Sequence, residues 1–321
     1  ATMTIGEFEL IEQYFTRPGR RAALGVGDDC ALLAPAPGMQ LAVSCDMLIE
    51  GRHFLSTVAP DRLGHKALAV NLSDLAACGA QPLAFTLALA LQRAERELLD
   101  GFARGLFALA DAHDCELVGG DTTRGPFAIC ITVFGEVPAG RALLRSGARP
   151  GDDLYVSGTL GDARLALEVI RGTTALDAAA FDSVRAAMEL PQPRVALGIA
   201  LRGIATSAID VSDGLLGDLG HILRRSAVAA TVDVDALPRS AVLGAQPLAQ
   251  QRVCTLAGGD DYELVFSASR ADANAVVDAA ARAATPVTRI GCIEAGSGVR
   301  LVDAGGRPIE NKYASFDHFR S

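Results

Sequence analysis

Leu24-Gly25-Val26-Gly27-Asp28-Asp29-Cys30-Ala31-Leu32-Leu33 sets two adjacent carboxylates in a glycine-broken turn between apolar residues. The apolar flanks predict short strands holding an acidic loop. Adjacent ionised carboxylates repel each other, and a chain of net charge -9 gives them little relief. A bound cation is the simplest physical reason to gather them. A solvated Asp-Asp turn is the plain alternative, because Gly and Asp are ordinary turn residues. Recurrence favours the cation: Asp28, Asp29, Asp46, Asp74, Asp121, Asp210, Asp213 and Asp260 all fall at expected element ends or on apolar faces.

Outward from that loop, Phe8, Leu10, Ile11 and Phe15 predict a short amphipathic helix before it, and Leu41 to Cys45 a buried strand delivering Asp46 at its end. Glu50 to Phe54 reads as a polar loop. Leu63, Ala67, Leu68, Val70, Leu72 and Leu75 repeat with a helical period closed by Gly79, and Asn71 and Asp74 share one face of that helix. Strands are expected over 82–91 and 128–137 and a helix over 95–113. Glu116 to Val118 reads as a short strand ending in the loop Gly119-Gly120-Asp121-Thr122-Thr123. Arg149-Pro150-Gly151-Asp152 is the best linker signal, which predicts an N-terminal domain of residues 1–148 and a C-terminal domain of 149–321.

The second half alternates in the same way. A strand near Ile209 delivers Asp210-Val211-Ser212-Asp213-Gly214 to a helix over 215–224, and Gly258-Gly259-Asp260-Asp261 leads into a strand over 262–266. The Gly-Gly-Asp of each half hints at an internal duplication. The N–H groups at Ser212 and Asp213 either hold a phosphate at a helix start or are capped by the Ser212 hydroxyl.

Composition narrows the function. The 321 residues suffice for two cores, and half are hydrophobic. The acidic balance argues against nucleic acid and anionic membranes as partners. No segment reaches the roughly 18 apolar residues of a membrane span, so a cytoplasmic protein is expected. The seven cysteines contain no CxxC pair and read as reduced and mostly buried. Lys66 and Lys312 are the only lysines, so phosphate recognition must rest on arginine, backbone N–H groups or metal. Short carboxylates without a His or Cys cluster suit Mg²⁺, with Mn²⁺ as a substitute, and Mg²⁺ is commonly completed by substrate phosphates. The P-loop, the kinase catalytic loop and the dinucleotide fingerprint are all absent.

The order of motifs then becomes informative. GVGDDCALL from Gly25, Ser44-Cys45-Asp46, His53-Phe54, KALAVNLSDLAACGA from Lys66, GGDTTRG from Gly119, GRALLRSGARPGD from Gly140, IDVSDGLLGDLGH from Ile209 and GGDDYEL from Gly258 together resemble the thiamine-monophosphate kinase family. The resemblance spans nearly the whole chain, down to Tyr313 to Phe319. That family sits in the superfamily of aminoimidazole ribonucleotide synthetase and selenophosphate synthetase. The resemblance implies an α/β (α+β) two-domain fold, with an N-terminal sheet forming a barrel across a homodimer and a C-terminal mixed α/β domain. It also implies ATP as co-substrate, several Mg²⁺ ions, and phosphorylation of thiamine monophosphate to thiamine diphosphate.

By motif position, the implied metal ligands are Asp29, Ser44, Cys45 through its backbone carbonyl, Asp46, Asp74, Asp121, Asp210 and Asp213. ATP would meet Gly120, Asp121, Arg145 and Ser212, and thiamine monophosphate would meet His53, Asp260 and Phe316. Cys45 stands where many relatives have threonine, and Asp260 where glutamate is common. The competing readings are a superfamily relative that activates a carbonyl or amide oxygen with ATP, and a nucleotide sensor without turnover.

Overall fold

The computed structural model describes residues 6–313, so Phe316 and the stretch from Ala314 onward lie outside the described residues. These residues fall into two compact α/β units, one of 6–75 and 80–140, the other of 76–79 and 141–313.

In the first unit a one-turn helix α1 (Glu7–Leu10) runs on as π-helix through Phe15. Strand β1 (Met39–Ile49), helix α2 (Pro60–Ala77), strand β2 (Gln81–Leu91), helix α3 (Arg96–Ala112), and strands β3 (Glu116–Arg124) and β4 (Ala128–Pro138) follow. The sheet is open, in the order β1-β4-β2-β3, with only β2 and β3 parallel. Helix α2 forms because its apolar residues recur every three or four positions, leaving Leu63, Leu68, Leu72 and Leu75 at most 1% exposed. It stops at Gly79, which turns left-handed (φ 67°) while the Ala80 N–H reaches back to the Leu75 carbonyl (2.8 Å).

Two glycines let α2 and α3 approach closely: a Cβ on Gly105 would lie 1.8 Å from the Asp61 carbonyl oxygen, and one on Gly64 2.1 Å from that of Phe102. Gly105→Ala gains up to about 1 kcal/mol of helix propensity but forces the two backbones apart, a cost of about 3 kcal/mol. A net loss of about 2 kcal/mol in urea unfolding is expected; a more stable variant would contradict the packing described.

Two strands are longer than the sequence predicts. β1 continues past Cys45 because Asp46 to Ile49 stay paired with Ile131 to Ala128 of β4, so Asp46 sits mid-strand. β3 runs through Gly119-Gly120-Asp121-Thr122-Thr123 because these residues pair with Thr86 to Ala90 of β2. The expected loop is therefore sheet.

The second unit contains β5 (Asp153–Ser157), α4 (Asp162–Ile170), α5 (Ala178–Glu189), α6 (Val195–Ala200), β6 (Ala205–Asp210), α7 (Leu215–Ser226) and β7 (Ala229–Asp233). It continues with α8 (Ala241–Gly244), α9 (Leu248–Ala257), β8 (Leu264–Ala268), α10 (Ala273–Arg282), β9 (Val287–Glu294), β10 (Gly298–Val302) and β11 (Pro308–Ile309). The seven strands order as β11-β10-β7-β9-β5-β8-β6, with β7 and β10 the parallel pair. Leu215, Leu219, Ile222 and Leu223 of α7 pack with Ile209, Val211, Val232 and Leu154 into the main core. The two Gly-Gly-Asp motifs take different structures, strand in β3 and irregular loop before β8, so the shared letters are not a structural repeat.

Of the seven free cysteines only Cys115 and Cys254 are buried, fewer than expected; Cys30 and Cys45 are exposed. Among the described residues no helix is long and apolar enough to cross a membrane.

Candidate active site

The Asp28-Asp29 loop is held at both shoulders rather than by flanking strands. A single bridge joins Leu24 and Leu32, with the Ala23 N–H on the Leu32 carbonyl (3.0 Å) and the Leu32 N–H on that of Leu24 (2.9 Å). Before the loop, the Glu116 carboxylate accepts backbone N–H bonds from Arg20 (2.9 Å), Arg21 (2.9 Å) and Ala22 (3.2 Å). Burial acts to raise the Glu116 carboxyl, and these three bonds outweigh it and hold it below the usual carboxylate range. Around the loop, Ala22, Ala31 and Leu33 pack on Leu83, Ala84 and Val118. Asp28 and Asp29 themselves remain exposed.

Strand β1 and helix α2 bring the central polar groups together. Ser44 and Asp46 point from one face of β1, two residues apart. The Ser44 hydroxyl donates to Asp74 Oδ2 (2.5 Å), and the Asp46 N–H donates to Asn71 Oδ1 (3.0 Å). The Asn71 amide is itself fixed by donating to the Ala67 carbonyl (3.0 Å). The expected shared face of Asn71 and Asp74 is thus real, and it faces β1. Just past the end of β1, His53 Nδ1 accepts the Ile49 N–H (3.0 Å), which fixes the ring against the end of the strand.

The opposite face of the sheet carries Cys45 and Asp121. Register places Met47, Cys130, Ala88 and Asp121 in one row across the four strands, away from the Ser44 and Asp46 side. This row borders a cavity of about 160 Å³. Cys45 Sγ lies 3.4 Å from Cys130 Sγ. Gly120 has a packing reason of its own: a Cβ there would lie 1.8 Å from the Leu87 carbonyl oxygen.

In the second unit, the loops before α7 and before β8 are laced to each other. The Val211 N–H donates to the Glu263 carbonyl (2.8 Å), the Tyr262 N–H to that of Val211 (2.8 Å), and the Asp260 N–H to that of Ser212 (2.9 Å). Asp260 and Tyr262 both adopt left-handed backbone (φ 64° and 50°), and the Tyr262 hydroxyl donates to Asp260 Oδ1 (3.1 Å). Glu263 anchors the assembly: its carboxylate takes two bonds from Arg194 (2.7 and 2.6 Å) and one from the Ser157 hydroxyl (2.5 Å).

The N–H groups of Ser212, Asp213 and Gly214 are not free, and Ser212 does not cap α7. All three donate to Asp218 Oδ2 (3.0, 3.0 and 3.2 Å), one turn into the helix. Burial pushes the Asp218 carboxyl up to about 7 and the Asp213 charge adds to this, against the pull of the three N–H bonds. Arg145 lies where its charge helps to lower the His221 imidazole, after burial and Arg224, and its carbonyl accepts the Ser226 hydroxyl (3.1 Å).

Asp261 supplies a pH test. Its Oδ1 accepts the Gly161 N–H (2.9 Å), while Oδ2 is buried without a hydrogen-bond partner among the described residues. Burial raises this carboxyl well above the usual range; Glu263, Asp162 and Asp260 add to the effect and the Gly161 bond opposes it. A carboxyl with a raised native pKa keeps a proton that the unfolded chain has lost. Its contribution is full below the unfolded pKa of about 3.9 and is lost as pH rises toward the native value. Asp261→Asn should therefore gain stability over the wild type near about pH 8 and little near about pH 4 in urea unfolding; equal curves at both would contradict the assignment.

Hard oxygens dominate the donor set, which fits Mg²⁺ completed by water and phosphate. Each unit brings part of it together: Ser44, Asp46 and Asp74 on β1 and α2, and Asp210 with Asp213 around the loop before α7. Among the described residues no three His, Cys, Asp or Glu side chains gather in a metal-holding group, so Asp29 does not join Asp46 and Asp74. Sequence reasoning missed the roles of Asp218, Glu263 and Arg194.

Residues 27–137 match the N-terminal domain, and 149–304 the C-terminal domain, of AIR synthase related proteins. The chain belongs to that family of two-domain α/β proteins. The thiamine-monophosphate kinase of Salmonella typhimurium (strain LT2) is 44% identical over 324 residues, 99% of each chain. The crystal structure of thiamine-monophosphate kinase from Stenotrophomonas maltophilia K279a aligns with TM-score 0.84 at 47% identity, covering 90% of this chain and 92% of that one. A structure of AaThiL complexed with AMPPCP and TMP aligns with TM-score 0.76 at 29% identity, covering 89% of each. Within the AIR synthase related proteins, the chain belongs to the thiamine-monophosphate kinases.

Proposed function

We propose that this chain transfers the γ-phosphoryl group of ATP to thiamine monophosphate, forming thiamine diphosphate, by direct in-line displacement. The observation that carries the reading is 44% identity over 99% of both chains with a thiamine-monophosphate kinase, together with a donor set rich in aspartate and poor in His and Lys. The second pKa of a phosphate monoester is about 6, so the acceptor oxygen is largely ionised at neutral pH and needs no general base. Repulsion between the two anions is then the main barrier. Bound Mg²⁺ ions, or Mn²⁺ in their place, supply charge neutralisation and alignment of the two phosphate groups.

In the first unit Asp29, Ser44, the Cys45 carbonyl, Asp46, Asp74 and Asp121 are assigned to metal, Gly120 and Asp121 to ATP, and His53 to the acceptor. In the second, Asp210 and Asp213 are assigned to metal, Arg145 and Ser212 to ATP, and Asp260 to the acceptor, with Phe316 beyond the described residues. The assigned ATP and metal residues fall in both an N-terminal domain of 1–148 and a C-terminal domain of 149–321. Ser44 holds the Asp74 carboxylate in one orientation, and Asn71 fixes the backbone of Asp46, so these two acids are set before any ligand arrives.

With enzyme in excess over γ-phosphate-labelled ATP, label should pass to thiamine diphosphate without residing on the protein. Label trapped on a side chain would sink direct transfer; label released only as inorganic phosphate would sink the acceptor.

The same reading includes a homodimer whose first-unit sheets close into a barrel. Its support is the open sheet face, where Leu41 (45%), Val43 (59%), Met47 (54%) and Ile49 (41%) of edge strand β1 stand exposed in one row. Light scattering should give twice the chain mass for wild type and a monomer for Val43→Asp. A wild-type monomer at micromolar concentration would contradict the barrel.

A further inference from the structure

The loop 211–214 has almost no backbone left to offer a ligand. Its four N–H groups are all taken inside the fold: that of Val211 by the Glu263 carbonyl, and those of Ser212, Asp213 and Gly214 by Asp218 Oδ2. The carbonyls of Val211 and Ser212 accept from Tyr262 and Asp260. Successive N–H groups converging on one point form an anion cradle of the kind that loops use for phosphate. Here the cradle is filled by the chain's own Asp218 carboxyl, 4% exposed and anchored on α7.

We propose that Asp218 is a positioning residue for the ATP-bearing side of the site: it fills the cradle of 212–214 and so fixes the backbone that carries the Ser212 and Asp213 side chains. This rests on the phosphotransfer reading above. Phosphate is then met at this loop through side-chain oxygens and the cations they hold, not through backbone N–H. The requirement for Mg²⁺ at this loop is correspondingly steep, since its backbone N–H groups are already taken.

Asp218→Ala opens the cradle and frees the loop. Amide exchange at Ser212, Asp213 and Gly214 should quicken at least about a hundredfold, and the KM for ATP and half-saturating Mg²⁺ should each rise about thirtyfold. Asp218→Asn keeps an uncharged acceptor whose bonds are about half as strong. It should fall between, with KM for ATP raised about threefold and exchange about tenfold faster. A purely structural role would lower only the active fraction and leave both KM values at wild type.

Wild-type KM values in Asp218→Ala, or, should that variant fail to fold, wild-type KM and exchange in Asp218→Asn, would overturn the proposal. The wild-type control separates the two readings. If wild type fails to phosphorylate thiamine monophosphate, the function reading falls. Exchange at 212–214, and the ATP dependence of that exchange, still decide the role of Asp218.

Discussion

Replacing Asp74 by Asn lowers kcat for transfer to thiamine monophosphate by at least about a hundredfold, close to 2.7 kcal/mol of transition-state stabilisation, and leaves the fold intact. The expectation follows from where the side chain sits. Asp74 is partly buried in the largely apolar C-terminal half of α2, and its Oδ2 receives the Ser44 hydroxyl. An amide oxygen accepts that bond equally well, so the packing of α2 on β1 survives the exchange. The lost element is the negative charge that a hard cation requires, and no neighbouring residue on α2 replaces it. Circular dichroism and melting temperature should match wild type while half-saturating Mg²⁺ rises. A variant with wild-type kcat and Mg²⁺ dependence would remove Asp74 from the site.

Arg194→Ala should cost about 3 kcal/mol of stability or more, read from urea unfolding. The side chains of Arg194 and Glu263 are 22% and 8% exposed, so water cannot replace the lost partner at the Glu263 carboxylate. Among the described residues only the Ser157 hydroxyl would remain hydrogen-bonded to it. The damage extends to function, because the Glu263 carbonyl also holds the Val211 N–H at the root of the loop carrying Ser212 and Asp213. Arg194→Lys supplies one donor where the guanidinium supplies two, and recovers part of the loss. A loss below about 1 kcal/mol for the alanine variant would place this pair with weak surface bridges.

These two residues mark the limits of what the sequence reveals. Asp74 is legible because a carboxylate in a helical run rich in Leu, Ala and Val violates the local pattern, and Asn71 lies one turn away on the same face. Arg194 and Glu263 are 69 residues apart, joined only by the packing of the second unit, and nothing local in either segment announces the pair. Asp218 is hidden for a different reason. Its role depends on Gly214, whose φ of 118° folds three N–H groups back toward the helix. In sequence it reads as one more polar residue of an amphipathic helix.

Periodicity located α2, α3, α7 and β4 well, because each buries one consistent face. It failed where pairing rather than pattern decides. β1 and β3 run past their apolar stretches because neighbouring strands keep offering partners, and a glycine pair that usually signals a turn is kept in β3 because Gly120 must pass close to Leu87. Helix α9 escaped notice because Leu248 and Val253 are exposed and only its C-terminal end is buried.

The central claim is tested most directly by phosphorus NMR of purified protein with ATP, Mg²⁺ and thiamine monophosphate in one tube, with Asp74→Asn run in parallel. The account predicts loss of the monophosphate signal and growth of the thiamine diphosphate pair, one per ADP formed, only when Mg²⁺ is present and at least about a hundredfold slower in the variant. ATP consumed with the monophosphate signal unchanged would contradict the assigned acceptor, and equal rates in the two proteins would contradict the assigned site.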